Sequence, residues 1–128
     1  MAPLTVAVLG LGEAGSAIAG DLAGAGATVH GFDPVATAPH GVQAAGDVGD
    51  AVSGTAVVLS VNAAAVAVEV AASAAAALRP GQIYADLNTG GPALKRAVAD
   101  VVEPTGAAFA DVALMAPVPG RGLATPAP

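Results

Sequence analysis

Three glycines near the N-terminus are the residues of this chain best suited to hold a phosphate. Gly10, Gly12 and Gly15 follow the apolar run of residues 6–9 with the spacing Gly-x-Gly-x-x-Gly, and a helical pattern begins at once. We expect Gly10 to turn the chain off a strand, Gly12 to let a pyrophosphate approach the backbone, and Gly15 to let the helix pack closely. Free N–H groups and the dipole at the helix N-terminus favour an anion. The segment therefore predicts a dinucleotide-binding loop, to which Leu11, Glu13 and Ala14 also belong, whereas a glycine-rich turn in another α/β protein is the alternative.

Asp33 completes this pattern about 20 residues after the glycines. It follows the apolar segment 28–32, and Pro34 ends that segment. A carboxylate at this place accepts hydrogen bonds from the adenosine ribose hydroxyls and repels a 2′-phosphate, and no arginine or lysine lies nearby. We therefore expect the cofactor to be NAD rather than NADP, and the alternative is a solvated loop aspartate.

Two asparagines follow later apolar segments, where the strands of a parallel sheet end. We expect Asn62 to approach the cofactor ribose and Asn88 to contact a ligand, because an amide offers both a donor and an acceptor. Each has a structural alternative, namely a backbone turn at Asn62 and the capping of a helix before Pro92 at Asn88. Thr89 has the same two interpretations.

A residue for proton transfer is harder to find. Lys95 is the only lysine, but it lies beside Arg96 on a predicted helix, about two turns from the strand edge, and we interpret it as a solvated charge. His30 and His40 have no partners at the spacing of a metal site or a catalytic triad. We therefore expect neither a catalytic acid–base residue nor a metal site in this chain.

Apolar runs alternate with helical patterns along the sequence. Strands are predicted at 4–9, 28–32, 41–45, 56–61, 82–87 and 109–114, and helices at 13–25, 47–52 with Asp47 as N-cap, 63–78 and 92–102. This alternation predicts a doubly wound, mainly parallel α/β sheet of the Rossmann type with helices on both faces. The ligand should lie where the carboxyl ends of the strands meet.

Composition limits the other possibilities. The chain has 128 residues and a net charge of −6, which disfavours nucleic acid and anionic membranes as partners. It has no cysteine, which excludes disulfides and thiolate chemistry, and is compatible with the cytoplasm. We expect no signal peptide and no transmembrane helix. Only 2% of the residues are aromatic, so small aliphatic side chains must form the core.

The chain resembles the nicotinamide-binding domain of the β-hydroxyacid dehydrogenases, which include 6-phosphogluconate and 3-hydroxyisobutyrate dehydrogenases. The resemblance rests on residues 10–15, on 85–89 with Pro92, and on Asp111 followed by 116–120. It implies an NAD-linked oxidoreductase that transfers a hydride between nicotinamide and a small hydroxy acid, and it implies that Asn88 orients the nicotinamide or the substrate. Pro117, Val118, Pro119 and Gly120 are similar to the family's substrate loop, although Pro119 replaces its substrate-binding serine and the segment after Asp111 is longer. Arg121, in the same loop, either binds a carboxylate or phosphate bidentately or is a solvated loop residue.

The same resemblance implies a domain organisation. Residues 1–122 correspond to an incomplete dinucleotide-binding domain, and 123–128 to a proline-rich tail. The family's helical domain, with its catalytic lysine, would follow, so we expect this chain alone to bind cofactor without turnover. We expect the full-length protein to be a homo-oligomer.

A non-catalytic NAD-binding or sensing module remains the alternative function. A methyltransferase is a weaker one, because its glycine motif normally begins with an acid where this chain has Val8 and Leu9.

Overall fold

The computed structural model describes residues 3–112, which form a six-stranded sheet. Its strands are β1 (Thr5–Leu9), β2 (Thr28–Phe32), β3 (Gln43–Ala44), β4 (Val57–Ser60), β5 (Ile83–Asp86) and β6 (Ala108–Asp111). The strand order is β3-β2-β1-β4-β5-β6, and every neighbouring pair is parallel. The predicted doubly wound α/β fold is therefore confirmed.

One α-helix lies between each pair of consecutive strands except β2 and β3. They are α1 (Glu13–Gly24), α2 (Val48–Val52), α3 (Ala67–Ala75) and α4 (Pro92–Val102), and the α2 N-cap is Asp47 as predicted. The third helix is shorter than the predicted span of 63–78, because Ala64–Val66 forms a separate 3-10 turn and the α-helix ends at Ala75. Pro80 disfavours helical backbone at Arg79, whose guanidinium instead caps the carbonyl of Ala76 at 3.1 Å. No helix within residues 3–112 is long and apolar enough to cross a membrane.

Two apolar clusters lie on the two faces of the sheet. Helix α1 packs on one face over Val6, Val8 and Val29. Helices α2, α3 and α4 pack on the other face over a larger cluster that includes Leu9, Val58 and the aromatic ring of Tyr84. Each β-α-β crossover brings the next parallel strand back in the same direction, so all six strands end at one edge.

The order of the strands reverses between β1 and β4, and this point lies beside the glycine-rich loop. Gly10 has a φ of 105°, and a Cβ there would lie 2.1 Å from the carbonyl oxygen of Val61. A Cβ on Gly15 would lie 1.8 Å from the carbonyl oxygen of Gly10. Both contacts are with backbone atoms, so the first turn of α1 approaches the ends of β1 and β4 only because these residues have no side chain.

Two substitutions in α1 test this packing. Gly15→Ala should lower the free energy of unfolding by about 2 kcal/mol or more, because the backbone must shift to admit the methyl group. Gly20→Ala is the control, since a Cβ there meets nothing within 4 Å. It should raise the free energy of unfolding by about 0.5–1 kcal/mol, because alanine restricts the unfolded chain. Urea denaturation measures both, and equal effects would contradict the packing described.

Candidate dinucleotide-binding site

The N-terminus of α1 presents free backbone donors to the edge of the sheet. Gly12 is the N-cap residue and supplies no side-chain cap. The first intrahelical bond runs from Ser16 N–H to the carbonyl of Gly12 at 2.9 Å, so the N–H groups of Glu13, Ala14 and Gly15 lie before the helical ladder. A Cβ on Gly12 would meet no atom within 4 Å. Within residues 3–112, the loop therefore has open space in front of N–H groups that have no acceptor, which is the arrangement that binds a phosphate.

Asp33 holds this loop in place. Its Oδ2 accepts a hydrogen bond from Leu11 N–H at 2.8 Å, and its Oδ1 accepts from Val35 and Ala36 N–H at 2.9 Å each. Leu11 itself is 3% exposed and lies over Gly31 of β2. A carboxylate can accept about four hydrogen bonds, so Oδ2 retains capacity for one more donor.

The hydrogen bonds of Asp33 favour its ionised form. Partial burial acts to raise the pKa of this carboxyl, but the N–H groups of Ala36, Leu11 and Val35 outweigh it and leave the pKa below its ordinary value of 3.8. Asp33 is therefore a carboxylate at neutral pH, and the loop geometry depends on that charge.

Two clefts lie along the sheet edge, one on each side of the glycine-rich loop. The first, here the β2-side cleft, has a volume of about 430 Å³ and is lined by Gly12, Asp33, Asn62 and their neighbours. The second, here the β5-side cleft, has a volume of about 460 Å³ and is lined by Asn62, Asn88, Thr89 and Lys95 among others. Ala14 and Asn62 border both clefts, so the two form a continuous groove across the end of the sheet.

A smaller apolar cleft of about 240 Å³ opens beside the β2-side cleft. Its lining includes Leu9 and Phe32 from the sheet and Val66 and Val70 from the α3 side. This is an apolar slot next to Asp33, of the kind that takes a flat ring.

The two asparagines are joined to each other across the edge. The side-chain oxygen of Asn88 accepts a hydrogen bond from Asn62 N–H. The amide nitrogens of Asn88 and Asn62 both donate to Ser60 Oγ, at 3.2 and 2.9 Å. Asn88 is 5% exposed, so its amide is largely committed to the protein and leaves one N–H for a ligand.

Lys95 is not the solvated charge that we expected. Its side chain is only 13% exposed, and its Nζ lies 3.4 Å from Asp86 Oδ2 and 2.9 Å from Asp111 Oδ1. It also donates to the carbonyl of Asn88 at 2.7 Å. The prediction was wrong because α4 begins at the ligand edge, so Lys95 lies in its first turn and not two turns away.

The surroundings of this lysine were not predicted from the sequence. Asp86 is fully buried, and its Oδ2 accepts no hydrogen bond in the described part of the chain, so Lys95 is its counter-charge. Burial raises the pKa of Tyr84 to about 12. The Ser60 hydroxyl acts to lower this pKa, and the negative charge of Asp86 adds a smaller increase. The available signal was an acid at the end of each of two successive strands, with the chain's one lysine in the intervening helix.

Other predicted residues lie away from the groove or outside the described chain. His30 is in β2, and His40 is exposed in the loop that follows. The predicted substrate loop, residues 117–121, lies outside the described residues, as do residues 113 and 114 of the predicted last strand. Between residues 3 and 112, no three acidic or histidine side chains are grouped so that they could hold a metal ion.

The low pKa of Asp33 predicts an acid-sensitive contribution to stability. A carboxyl with a depressed folded-state pKa stabilises the fold above its unfolded value, near pH 3.8, and loses that contribution as the pH falls through the lower folded value. The free energy of unfolding should therefore fall more between neutral pH and pH below 3.8 in the wild type than in Asp33→Asn. Urea denaturation across this range measures the difference, and parallel curves would contradict the role of the carboxylate.

Comparisons with known proteins identify the family and the fold. The family model for the NAD binding domain of 6-phosphogluconate dehydrogenase matches residues 5–121. The structure of 3-hydroxyisobutyrate dehydrogenase from Mycobacterium tuberculosis with L-serine is similar, with a TM-score of 0.86 and 30% identity over 96% of this chain and 44% of that one. A conserved hypothetical protein from Sinorhizobium meliloti 1021 has a TM-score of 0.84 and 32% identity over 94% of this chain and 44% of its own. No curated protein matches the sequence significantly.

An imine reductase from Myxococcus stipitatus shares the fold in two structures. The complex with NADP+ has a TM-score of 0.77 and 24% identity over 89% of this chain and 42% of that one. The structure of the V8 variant with NAD+ has a TM-score of 0.78 and 26% identity over 91% of this chain and 42% of that one. This chain thus spans less than half the length of these solved relatives. The family model, in turn, matches most of this chain. The chain therefore belongs to the family of NAD-binding domains of 6-phosphogluconate dehydrogenase.

Proposed function

We propose that this chain binds NAD(H) across the carboxyl edge of its sheet, as the cofactor domain of an oxidoreductase. One observation carries the proposal: Leu11 N–H is bound to Asp33 at 2.8 Å, which places the open N-terminus of α1 beside a free carboxylate lone pair. The pyrophosphate would lie on the N–H groups of Glu13, Ala14 and Gly15. The adenosine would lie in the β2-side cleft with its ribose between Asp33 and Asn62 and its adenine in the apolar slot.

This arrangement leaves the β5-side cleft for the nicotinamide. A dinucleotide whose pyrophosphate sits at the switch point extends in both directions along the edge. With the adenosine at β2, the other half must pass Asn62 and reach Asn88. When bound, the nicotinamide supplies the hydride chemistry. The chain's own residues bind the cofactor, orient it and form one wall of the reaction site.

The substrate that fits the family is a small hydroxy acid. The solved relative from Mycobacterium tuberculosis is a 3-hydroxyisobutyrate dehydrogenase with L-serine, which supports a small polar substrate here. Lys95 is engaged with two carboxylates and a carbonyl, so it is not placed as a free proton donor. The lysine that moves the proton would come from the helical domain that the resemblance implies, in an enzyme that we infer to be a cytoplasmic homo-oligomer.

Gly12→Val tests the phosphate site. The valine side chain would occupy the open space before the α1 N-terminus, so we expect the affinity for NADH to fall about a hundredfold or more. The fold should persist, since a Cβ there meets no protein atom within 4 Å. Gly24→Val, at the other end of α1 and equally open, is the control and should keep wild-type affinity. Calorimetric titration with circular dichroism measures both. Unchanged binding in Gly12→Val would remove the phosphate site from this loop.

Asp33 should also set the choice between the two cofactors. NADH should bind at least about tenfold more tightly than NADPH, because the carboxylate would face the 2′-hydroxyl of NADH but the negatively charged 2′-phosphate of NADPH. Asp33→Asn should narrow this ratio, although it also loosens the loop and lowers both affinities. Asp50→Asn is the control, because Asp50 also accepts a backbone hydrogen bond, from Gly46 N–H at 2.8 Å, but lies outside the groove. Equal affinity of the wild type for the two reduced cofactors would refute this role.

A further inference from the structure

Lys95 makes more contacts than an ion pair needs. Its three N–H donors face four oxygens, which are the carbonyl of Asn88 at 2.7 Å, Asp111 Oδ1 at 2.9 Å, and both the carbonyl and Oδ2 of Asp86 at 3.4 Å. These oxygens belong to the ends of β5 and β6 and to the loop after β5. One ammonium group therefore joins two strand ends and the loop between β5 and α4.

The loop held in this way forms part of the wall of the β5-side cleft. Asn88, Thr89 and Gly90 all line that cleft, and Lys95 reaches it from the first turn of α4. Asn88 is bound on three sides: its carbonyl by Lys95, its N–H by Asp86 Oδ1 at 3.0 Å, and its side chain by Ser60 and Asn62. Of these contacts, only the bond from Lys95 reaches the peptide between Asn88 and Thr89. Thr89 and Gly90, which follow this carbonyl, line the cleft.

We propose that Lys95 is a positioning residue for the nicotinamide half of the cofactor. It holds the peptide between Asn88 and Thr89, which belongs to the wall of the β5-side cleft that the nicotinamide would contact. The inference rests on the proposed function, which assigns the β5-side cleft to the nicotinamide. Lys95 acts through the backbone of Asn88, because its donors are engaged by Asn88, Asp86 and Asp111. Binding costs less free energy when the wall of the cleft is already ordered. The contribution of Lys95 should therefore appear as a higher affinity for the half of the ligand that contacts this wall.

A pair of ligands isolates this effect. ADP-ribose contains the adenosine and the pyrophosphate but lacks the nicotinamide, whereas NADH contains all three. Calorimetric titration of the 128-residue chain with each ligand gives the contribution of the nicotinamide as the ratio of the two affinities. A substitution that merely weakens the fold changes the two affinities together, but loss of a positioning residue lowers the affinity for NADH alone.

Lys95→Met keeps the length of the side chain and removes its charge. We expect NADH to bind about tenfold more weakly, as loss of one charged hydrogen bond would produce, and ADP-ribose to bind within about twofold of wild type. The exposed neighbour Arg96 supplies the control, and Arg96→Met should change neither affinity.

The single variant leaves Asp86 buried without its counter-charge, and the chain can fail to fold for that reason. The double variant Asp86→Asn with Lys95→Met removes both charges, and its asparagine keeps an oxygen for the N–H of Asn88. Circular dichroism checks that it folds. We expect it to retain the selective loss of NADH affinity, because the bond to the Asn88 carbonyl is still missing.

Three results would overturn the inference. NADH and ADP-ribose could lose affinity equally, the double variant could regain wild-type affinity for NADH, or the wild type could bind both ligands equally well. The second result would mean that Lys95 only neutralises Asp86. A wild type that binds neither ligand would instead refute the proposed function, and the inference with it.

Discussion

The hydrogen bond between Leu11 N–H and the Asp33 carboxylate is the interaction on which the geometry of the site depends. It joins residues 22 positions apart and ties the glycine-rich loop to the end of β2 at 2.8 Å. The pairing of β1 with β2 and the bond from Gly10 N–H to the carbonyl of Phe32 at 2.9 Å bring the two segments together, and the bond to Asp33 sets the carboxylate against the loop. The depressed pKa of Asp33 has the same origin, since the N–H groups that order the loop also favour the charge. The order of the glycine-rich loop and the proposed preference for a sugar hydroxyl would thus both depend on one side chain.

The other end of the groove depends on buried charge rather than on backbone donors. Asp86 is fully buried at the end of β5, where its ionised form requires a partner. Lys95 supplies the counter-charge and, since its remaining donors reach Asn88 and Asp111, it also orders the surrounding backbone. A buried ion pair of this kind contributes little net stability compared with apolar residues of the same size, so its value lies in the geometry that it imposes.

Much of this fold could be predicted from local patterns. The glycine spacing, the acid at position 33 and the alternation of apolar runs predicted the parallel sheet, and Pro92 set the start of α4 where the structure has it. The length of α3 could not be predicted well, because alanines favour a helix at every position and do not mark its ends. Lys95 was misinterpreted because its distance from the edge was counted along the helix, whereas α4 starts at the edge where Asp86 and Asp111 end their strands. That relation depends on the pairing of β5 with β6, which no local pattern contains.

The placement of the two cofactor halves is tested most directly by amide chemical shifts of the isotopically labelled chain with NAD+ and with ADP-ribose. Both ligands should shift the amide signals of Gly12, Glu13 and Ala14, which would lie at the proposed phosphate position. Only NAD+ should shift the signals of Asn88, Thr89 and Gly90, which line the β5-side cleft. If ADP-ribose shifts residues 88–90 as strongly as NAD+ does, or if NAD+ leaves them unchanged, the dinucleotide does not cross the sheet edge in this direction.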